Sequence, residues 1–375
     1  MKKNFRLVEI KKFLQKKGLR IIKNNTRIKT YQKYNNIGTF SRTFISSLVV
    51  ISFFILLPIF SEFKNENRTI TKEFENNSKS NFKKALDNEK IVKVDEDLNE
   101  KYLFEDVFKF NDLPTDIVRL SAKTIEQLFK DTNYNLKDVR EKKLVKPVSL
   151  SLLPEEMKMI ENTKQRKELF IQIILPLIIK ENNSIKMDRK KLFKVLNKSN
   201  NTKKEKKWLI QKFKQYGVSN KDFSTLKIRM DEIPTSLSIA QAAKETGWGT
   251  SRFALEGNAL FGQWTWSGDG IKPAGAEDDS THKVMKFKVL QASVKAYHRN
   301  LNTHSSYRMF RSVRAELREE NKELDSMILS KYLDKYAATG KEYVKILQQI
   351  IRQNNLIDFD DAKLLPSSIN LESLI

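Results

Sequence analysis

The sequence predicts a mostly α-helical protein whose folded part follows a single membrane-spanning helix. Three observations carry that expectation. Apolar residues in 101–230 recur three and four apart, as in Leu192, Val195 and Leu196 and again in Trp208, Leu209 and Phe213, the period of a helix with one buried face. An uncharged run of 18 residues occupies 43–60 and as a helix would extend about 27 Å, close to the hydrocarbon thickness of a bilayer. Eight of the 11 glycines lie between Gly247 and Gly340, with Trp248, Trp264 and Trp266 in the same stretch. Glycine marks backbone that turns sharply or approaches something closely, so a site is expected there.

The charge is divided unevenly. The 375 residues carry a net +24 with no cysteine and three histidines. That composition excludes a disulfide framework and gives no support to a zinc site, so neither metal nor cofactor is expected. Residues 1–42 hold 13 Lys and Arg against Glu9 alone, whereas residues 231–375 hold 19 of each sign. The remaining +12 lies between 61 and 230. Lys outnumbers Arg 53 to 17, a bias that tracks the base composition of a coding sequence. A reader of nucleic acid concentrates Arg and aromatics on one folded element, so no nucleic-acid partner is expected.

The basic arm 1–42 directly precedes the apolar run, and Ser61-Glu62 follows it. By the positive-inside rule the arm stays in the cytoplasm and the chain after Phe60 is exported. A cleavable signal peptide would have a much shorter charged leader and a small-residue cleavage site. Residues 61–100, rich in Asn, Lys, Glu and Ser without a sustained period, read as a flexible tether reaching on the order of 35 Å as a coil. The helical region 101–230 then reads as helices over 116–130, 154–182 with a disturbance at Pro176, 188–197, and 202–216 stopped by Gly217. The apolar stretch 169–179 within it is too short to span a bilayer and suits a buried core helix. A last segment, 231–375, opens at Ile233-Pro234.

In that segment, Pro234 suits the start of a helix and Gly247 a left-handed stop. Between them, Ile239, Ala240 and Ala243 form an apolar stripe with small residues, which admits close packing. Glu245 falls in the last turn, where desolvation and the negative end of the helix dipole both disfavour its ionised form. A carboxylic acid kept protonated near neutral pH is what glycoside cleavage requires to protonate a leaving oxygen. An ordinary surface glutamate before a glycine cap is the competing reading.

The run Ala240-Gln241-Ala242-Ala243-Lys244-Glu245-Thr246-Gly247-Trp248-Gly249, followed by Asn258-Ala259-Leu260-Phe261-Gly262 and Gln263-Trp264-Thr265-Trp266, resembles the bacterial peptidoglycan glucosaminidases of glycoside hydrolase family 73, and most closely their membrane-anchored Bax-like members. The resemblance covers roughly residues 231–355. It implies a lysozyme-like α+β catalytic domain with a small β-lobe, peptidoglycan glycan strands as substrate, and Glu245 as proton donor for cleaving β-1,4 bonds. With the orientation above, it implies a single-pass protein of the bacterial cytoplasmic (inner) membrane with its catalytic domain in the periplasm. Lys244 departs from the small or apolar residue common in the family, and a cation beside Glu245 acts to lower its pKa.

The resemblance also implies an acid in the β-lobe some thirty residues on. Glu277 is the first choice, then Asp278 and Asp279, against a solvated acidic turn as the bland alternative; Val284–Phe287 alternates like the strand that follows. The stretch Tyr336-Ala337-Ala338-Thr339-Gly340-Lys341-Glu342-Tyr343 resembles the family element whose tyrosine lies near the acid. Tyr336 is favoured for that place, and Tyr343, at the head of an apolar helix, reads as core or substrate-lining. Trp248, Phe261, Trp264 and Trp266 offer flat faces for sugar rings, and Gln241, Asn258 and Gln263 offer amides. Phe261 also fits the core. His282, His298 and His304 show no ligand-like grouping and read as surface or capping residues. Arg308, Arg311, Arg314 and Arg318 recur at three and four, the stripe of an exposed helix face.

Overall fold

The computed structural model describes residues 117–265, 270–272 and 283–366, together with Phe104 and Val107. The described residues belong to one compact unit, Glu75–Ile375. The basic arm, the apolar run 43–60 and the tether lie outside the described residues. Among the described residues no helix is long and apolar enough to cross a membrane.

The first elements are α1 (Ala122–Asp131) and α2 (Leu136–Lys142). Helix α1 begins later than its apolar period predicts because Ser121 accepts the backbone N–H of Thr124, a side-chain cap that fixes the start. A 3₁₀ turn at Glu155–Met159 then precedes α3, Thr163–Leu196, one continuous helix of 34 residues. This overturns the two helices expected over 154–182 and 188–197. Pro176 lacks the N–H that would bond the Gln172 carbonyl, normally a loss of about 3 kcal/mol in a helix interior. Here Tyr134 supplies the missing donor, its hydroxyl bonding Gln172 O at 3.0 Å, while Gln172 Nε2 donates to Tyr134 O at 2.8 Å. The polar run Asn182-Asn183-Ser184 is carried through because Asn182 is buried and uses its amide on both backbone groups of Ile233. The stretch 169–179 is core, as its length predicts.

Helix α4 (Lys203–Gln215) meets expectation closely. Thr202 and Glu205 form a reciprocal capping box at its start, and Gly217 takes φ +62° just past its end. After α5 (Phe223–Arg229) comes α6 (Thr235–Thr246). Residues 235–243 are buried without interruption, so α6 is enclosed on all faces rather than along one stripe. It packs against α3, against α11 (Lys341–Gln353) and against the 3₁₀ turn Leu356–Phe359. Around this stack lie α7 (Arg252–Gly257), α8 (Leu290–Thr303), α9 (Arg308–Glu319) and α10 (Ser326–Leu329). One hydrophobic core runs from Ala122 to Ala362 and includes Ile174, Leu237 and Leu347 alike. Two small sheets complete the fold. Strands β1 (Leu144–Val145) and β5 (Lys363–Leu364) pair in parallel. Strands β2 (Trp264–Thr265), β3 (Gly270–Ile271) and β4 (Lys283–Met285) form an antiparallel sheet in the order β2-β4-β3, the small β-lobe that the sequence led us to expect.

The arginine stripe is corrected by the structure. Arg311 and Arg314 are fully buried, and Arg318 is partly so. Each meets the negative end of a helix or a buried acid. Arg311 donates to Leu301 O and His304 O at the end of α8. Arg314 donates to Ile228 O, near the end of α5, and to Asp231 O. Arg318 grips the Asp231 carboxylate with two hydrogen bonds of 3.2 Å and reaches Glu232 at 2.6 Å. Burial opposes ionisation of Asp231, but Arg189, Arg314 and Arg318 outweigh it and hold the carboxyl below the usual range. His298 is likewise not at the surface. Its ring lies 2.9 Å from Val294 O and 3.0 Å from Asn182 Oδ1, and burial pushes its pKa down to about 4. His304 is the capping residue expected, accepting from Ser306 N.

Removing Asp231 leaves this cluster of cations uncompensated. Asp231→Ala should lose about 3–5 kcal/mol in denaturant unfolding at neutral pH. The gap to wild type should narrow as pH falls through the depressed pKa, because the paired carboxylate stabilises only while ionised. Arg308→Ala, in the same stripe but only half-buried and outside the Asp231 cluster, should stay within about 0.5 kcal/mol.

Candidate active site

The site is built at the C-terminal end of α6. Gly247 ends the helix at φ +58°, Trp248 follows at +62° and Gly249 at +84°, three consecutive left-handed residues of which only tryptophan is sterically penalised. Thr246 holds the turn: its hydroxyl donates to Ala242 O at 2.6 Å and accepts Gly249 N–H at 2.9 Å. A Cβ on Gly249 would sit 2.9 Å from the Phe170 ring, so the turn must lie flat on α3. Trp248 has its edge against Phe170, with Lys167 Nζ 4.8 Å above its ring. It is therefore anchored to α3 and only partly exposed.

Glu245, in the last turn, is half-buried. Desolvation raises its pKa, opposed by the Tyr343 hydrogen bond and by Lys244. The net rise matches the expectation for an acid at an enclosed helix end, and Lys244 has the opposing sense foreseen for it.

The tyrosine bonded to the acid is Tyr343, whose hydroxyl donates to Glu245 Oε1 at 2.9 Å. Tyr336, favoured from the sequence as the phenol near the acid, does not bond it but lies beside the one that does. Tyr336 donates instead to Phe261 O at 2.8 Å and stacks on Tyr343, with ring centroids 5.6 Å apart and planes 6° from parallel. Gly340, at φ +54°, opens α11 and sets Tyr343 in its first turn, facing α6; the doubled alanine leaves Tyr336 in the preceding 3₁₀ turn.

Behind Tyr343 the hydrogen bonds run in one direction. Tyr297 donates to Gln241 Oε1 at 2.8 Å, and Gln241 Nε2 donates to the Tyr343 oxygen at 3.1 Å. With its oxygen already accepting, Tyr343 presents its single proton to Glu245. Gln241 is fully buried, so it supports the acid from behind and does not line a cleft as expected.

Phe261-Gly262-Gln263 passes alongside the carboxyl. A Cβ on Gly262, at φ +60°, would lie 3.1 Å from Glu245 Oε2, so glycine leaves that oxygen accessible. Phe261 is core, stacked on Tyr297 at 3.9 Å. Asn258 is a left-handed helix cap whose amide nitrogen donates to Phe287 O and Lys288 O, tying the segment after β4 to α7, while its Oδ1 is buried without a hydrogen-bond partner. Gln263 is 7% exposed and neither of its amide atoms has a hydrogen-bond partner, the condition of a group awaiting one. Trp264 is 44% exposed at the sheet edge. Trp266, Glu277, Asp278, Asp279 and His282 lie outside the described residues. Among the described residues no group of three or more potential metal ligands converges.

Residues 220–356 match the Glucosaminidase family model, described as mannosyl-glycoprotein endo-beta-N-acetylglucosaminidase. The chain is 32% identical over 210 residues to protein bax of Escherichia coli (strain K12), an alignment spanning 54% of this chain and 75% of that one. The chain belongs to the Bax-like glucosaminidase-domain proteins. No solved structure matches it. The family points to a glycosidase acting on a glycan polymer. In this Bax-like protein, Gln241 and Glu245 of the recognised motif meet Tyr343 of the later one in a single hydrogen-bonded line. Tyr297 and Gly262 were not singled out as functional: Tyr297 is hidden in the apolar period of α8, and Gly262 belongs to the motif without any side chain to mark its role.

Tyr343→Phe removes the donor that lowers the Glu245 pKa. The alkaline limb of its pH–rate profile should move to higher pH, with kcat/KM falling roughly tenfold, the worth of one hydrogen bond of about 1.4 kcal/mol.

Proposed function

We propose that this Bax-like protein hydrolyses the β-1,4 bond following N-acetylglucosamine in peptidoglycan, with Glu245 as general acid. The observation that carries this reading is the half-buried Glu245 carboxyl, its pKa raised by desolvation and its Oε1 fixed by Tyr343. Such an acid donates a proton to the leaving glycosidic oxygen as the bond breaks. Oε2, beside Gly262, is the oxygen open to that task. The unpartnered amide of Gln263 and the partly exposed Trp264 supply a hydrogen-bonding group and an aromatic surface for sugar rings. The second group is either an acid of the 277–279 stretch or the acetamido oxygen of the substrate.

The same reading places the enzyme at its substrate. Residues 43–60 form a single anchor in the bacterial cytoplasmic membrane, with residues 1–42 inside, where their charge opposes export. Residues 61–100 then tether the catalytic fold in the periplasm. Neither nucleic acid nor metal is required.

Zymography on purified peptidoglycan with wild type and Glu245→Gln, followed by analysis of reducing ends, tests the proposal. Wild type should clear the gel and release reducing-end N-acetylglucosamine; the variant should lose at least about 100-fold in rate. Reducing-end or anhydro-muramic acid would instead make the protein a muramidase or lytic transglycosylase. Equal clearing by the variant would remove Glu245 from the chemistry. The variant should also melt at a higher temperature than wild type above the raised Glu245 pKa, where the buried ionised carboxylate costs stability. That advantage should vanish as pH falls and the wild-type acid becomes neutral.

A further inference from the structure

The charge left between the arm and the catalytic segment is concentrated in one place. Residues 186–230 hold 15 Lys and Arg against Asp188, Glu205 and Asp222, a net of +12 over 45 residues. A coding bias alone would not confine the excess in this way, since residues 231–375 are neutral. The segment comprises the end of α3 with α4 and α5. It has its own small core, built around Leu192, Leu209, Phe213 and Leu226 and separate from the main one.

All three acids are engaged locally. Asp188 pairs with Lys212, Glu205 closes the capping box and bonds Lys198, and Asp222 caps α5. Both arginines turn to backbone: Arg189 reaches the carbonyls of Lys227 and Met230, and Arg229 those of Tyr216 and Gly217. The outward cations are therefore lysines. On α4, Lys203, Lys206, Lys207 and Ile210 are exposed and lie three and four residues apart along one face. Ile210 is 59% exposed at the C-terminal end of that basic stripe, and Met187 stands 67% exposed next to Lys190 and Lys191 on α3.

We propose that the outer face of α4 docks on an anionic lipid bilayer, with Ile210 entering the interface and the flanking lysines over the headgroups. This goes beyond the glycosidase reading and does not rest on it. Lysine-rich faces carrying isolated large apolar residues suit a surface that offers negative charge and hydrocarbon together. A phosphate polymer has no use for Ile210. A nucleic acid would call on arginine forks and free aromatic faces, whereas both arginines here are occupied and Trp208 has Lys191 at 4.5 Å and Lys212 at 5.9 Å from its ring centre.

The absence of cysteine makes single-site labelling direct. The full chain carrying Ile210→Cys is labelled with a nitroxide and reconstituted in vesicles of phosphatidylcholine alone or with roughly one-third phosphatidylglycerol; Met309→Cys, on the exposed face of α9, serves as reference. At position 210 the ratio of oxygen to nickel-chelate accessibility should rise several-fold in the anionic vesicles only. Lys203, Lys206 and Lys207→Glu should abolish the rise without altering glycan hydrolysis, while the label at 309 stays aqueous throughout. The assignment is overturned by an aqueous label at 210 in both vesicles, by equal burial in neutral lipid, or by burial of both labels. It is also overturned if soluble polyphosphate or DNA protects position 210 and anionic vesicles do not.

Discussion

The main core of this fold is arranged around a helix buried on every side for nine residues. Because α6 is enclosed from residue 235 to residue 243, its N-terminal end cannot rely on water and protein groups must satisfy it, while its last turn reaches the surface at Lys244 and Gly247. At the start, Asp360 accepts the backbone N–H and the hydroxyl of Ser236, each at 2.7 Å. Burial lifts the Asp360 pKa to about 6 in spite of those bonds. At the far end, Gly247 turns the chain out of the helix and Glu245 faces the opening. The enclosure that stabilises the fold also desolvates the acid, so packing and catalysis have one physical origin. The layers that enclose α6 come from both sides of it in sequence, α3 before and α11 after, and β1 and β5 join the same two regions.

The legible part of this protein is the part written in local signals. The helix from Thr202 stopped by Gly217, the Gly247 stop, the core run 169–179 and the last-turn position of Glu245 each depend on neighbouring residues, and each appears where its signal lies. The β-lobe followed from family resemblance, not from pattern. What could not be read depends on partners far along the chain. Arg311 and Arg314 have the spacing of a solvated stripe, and only the helix ends of α5 and α8 convert them into buried caps. Gln241 looks like a cleft amide until Tyr297 and Tyr343 are seen on either side. The exchange between Tyr336 and Tyr343 has the same source: the sequence locates two phenols seven residues apart, and the docking of α11 on α6 decides which one meets the acid. The change of composition near Ile233 does not interrupt the core, which continues through α3.

The directed line Tyr297–Gln241–Tyr343–Glu245 explains how one carboxyl can be both held and available. One oxygen is fixed by a hydroxyl that has no other acceptor to turn to, and the other lies beside a glycine. Buried polar chains of this kind are secure only when every member has a partner, and here the members come from α6, α8 and α11. The acid is therefore oriented by the assembled fold and not by its own helix alone.

The hydroxyl of Tyr134 carries a consequence for how the protein is assembled. A helix of 34 residues would ordinarily be a local object, able to form early and independently of the rest of the chain. At Pro176 this one is not, because the carbonyl left open at Gln172 is closed by a residue nearly forty positions earlier. Its two halves can nucleate separately, but the junction is completed only when the turn after α1 arrives. Synthesis from the N-terminus favours that order, since Tyr134 has emerged before Pro176 does. The longest element of the structure is thus a joint product of two segments, and its continuity records that they have met.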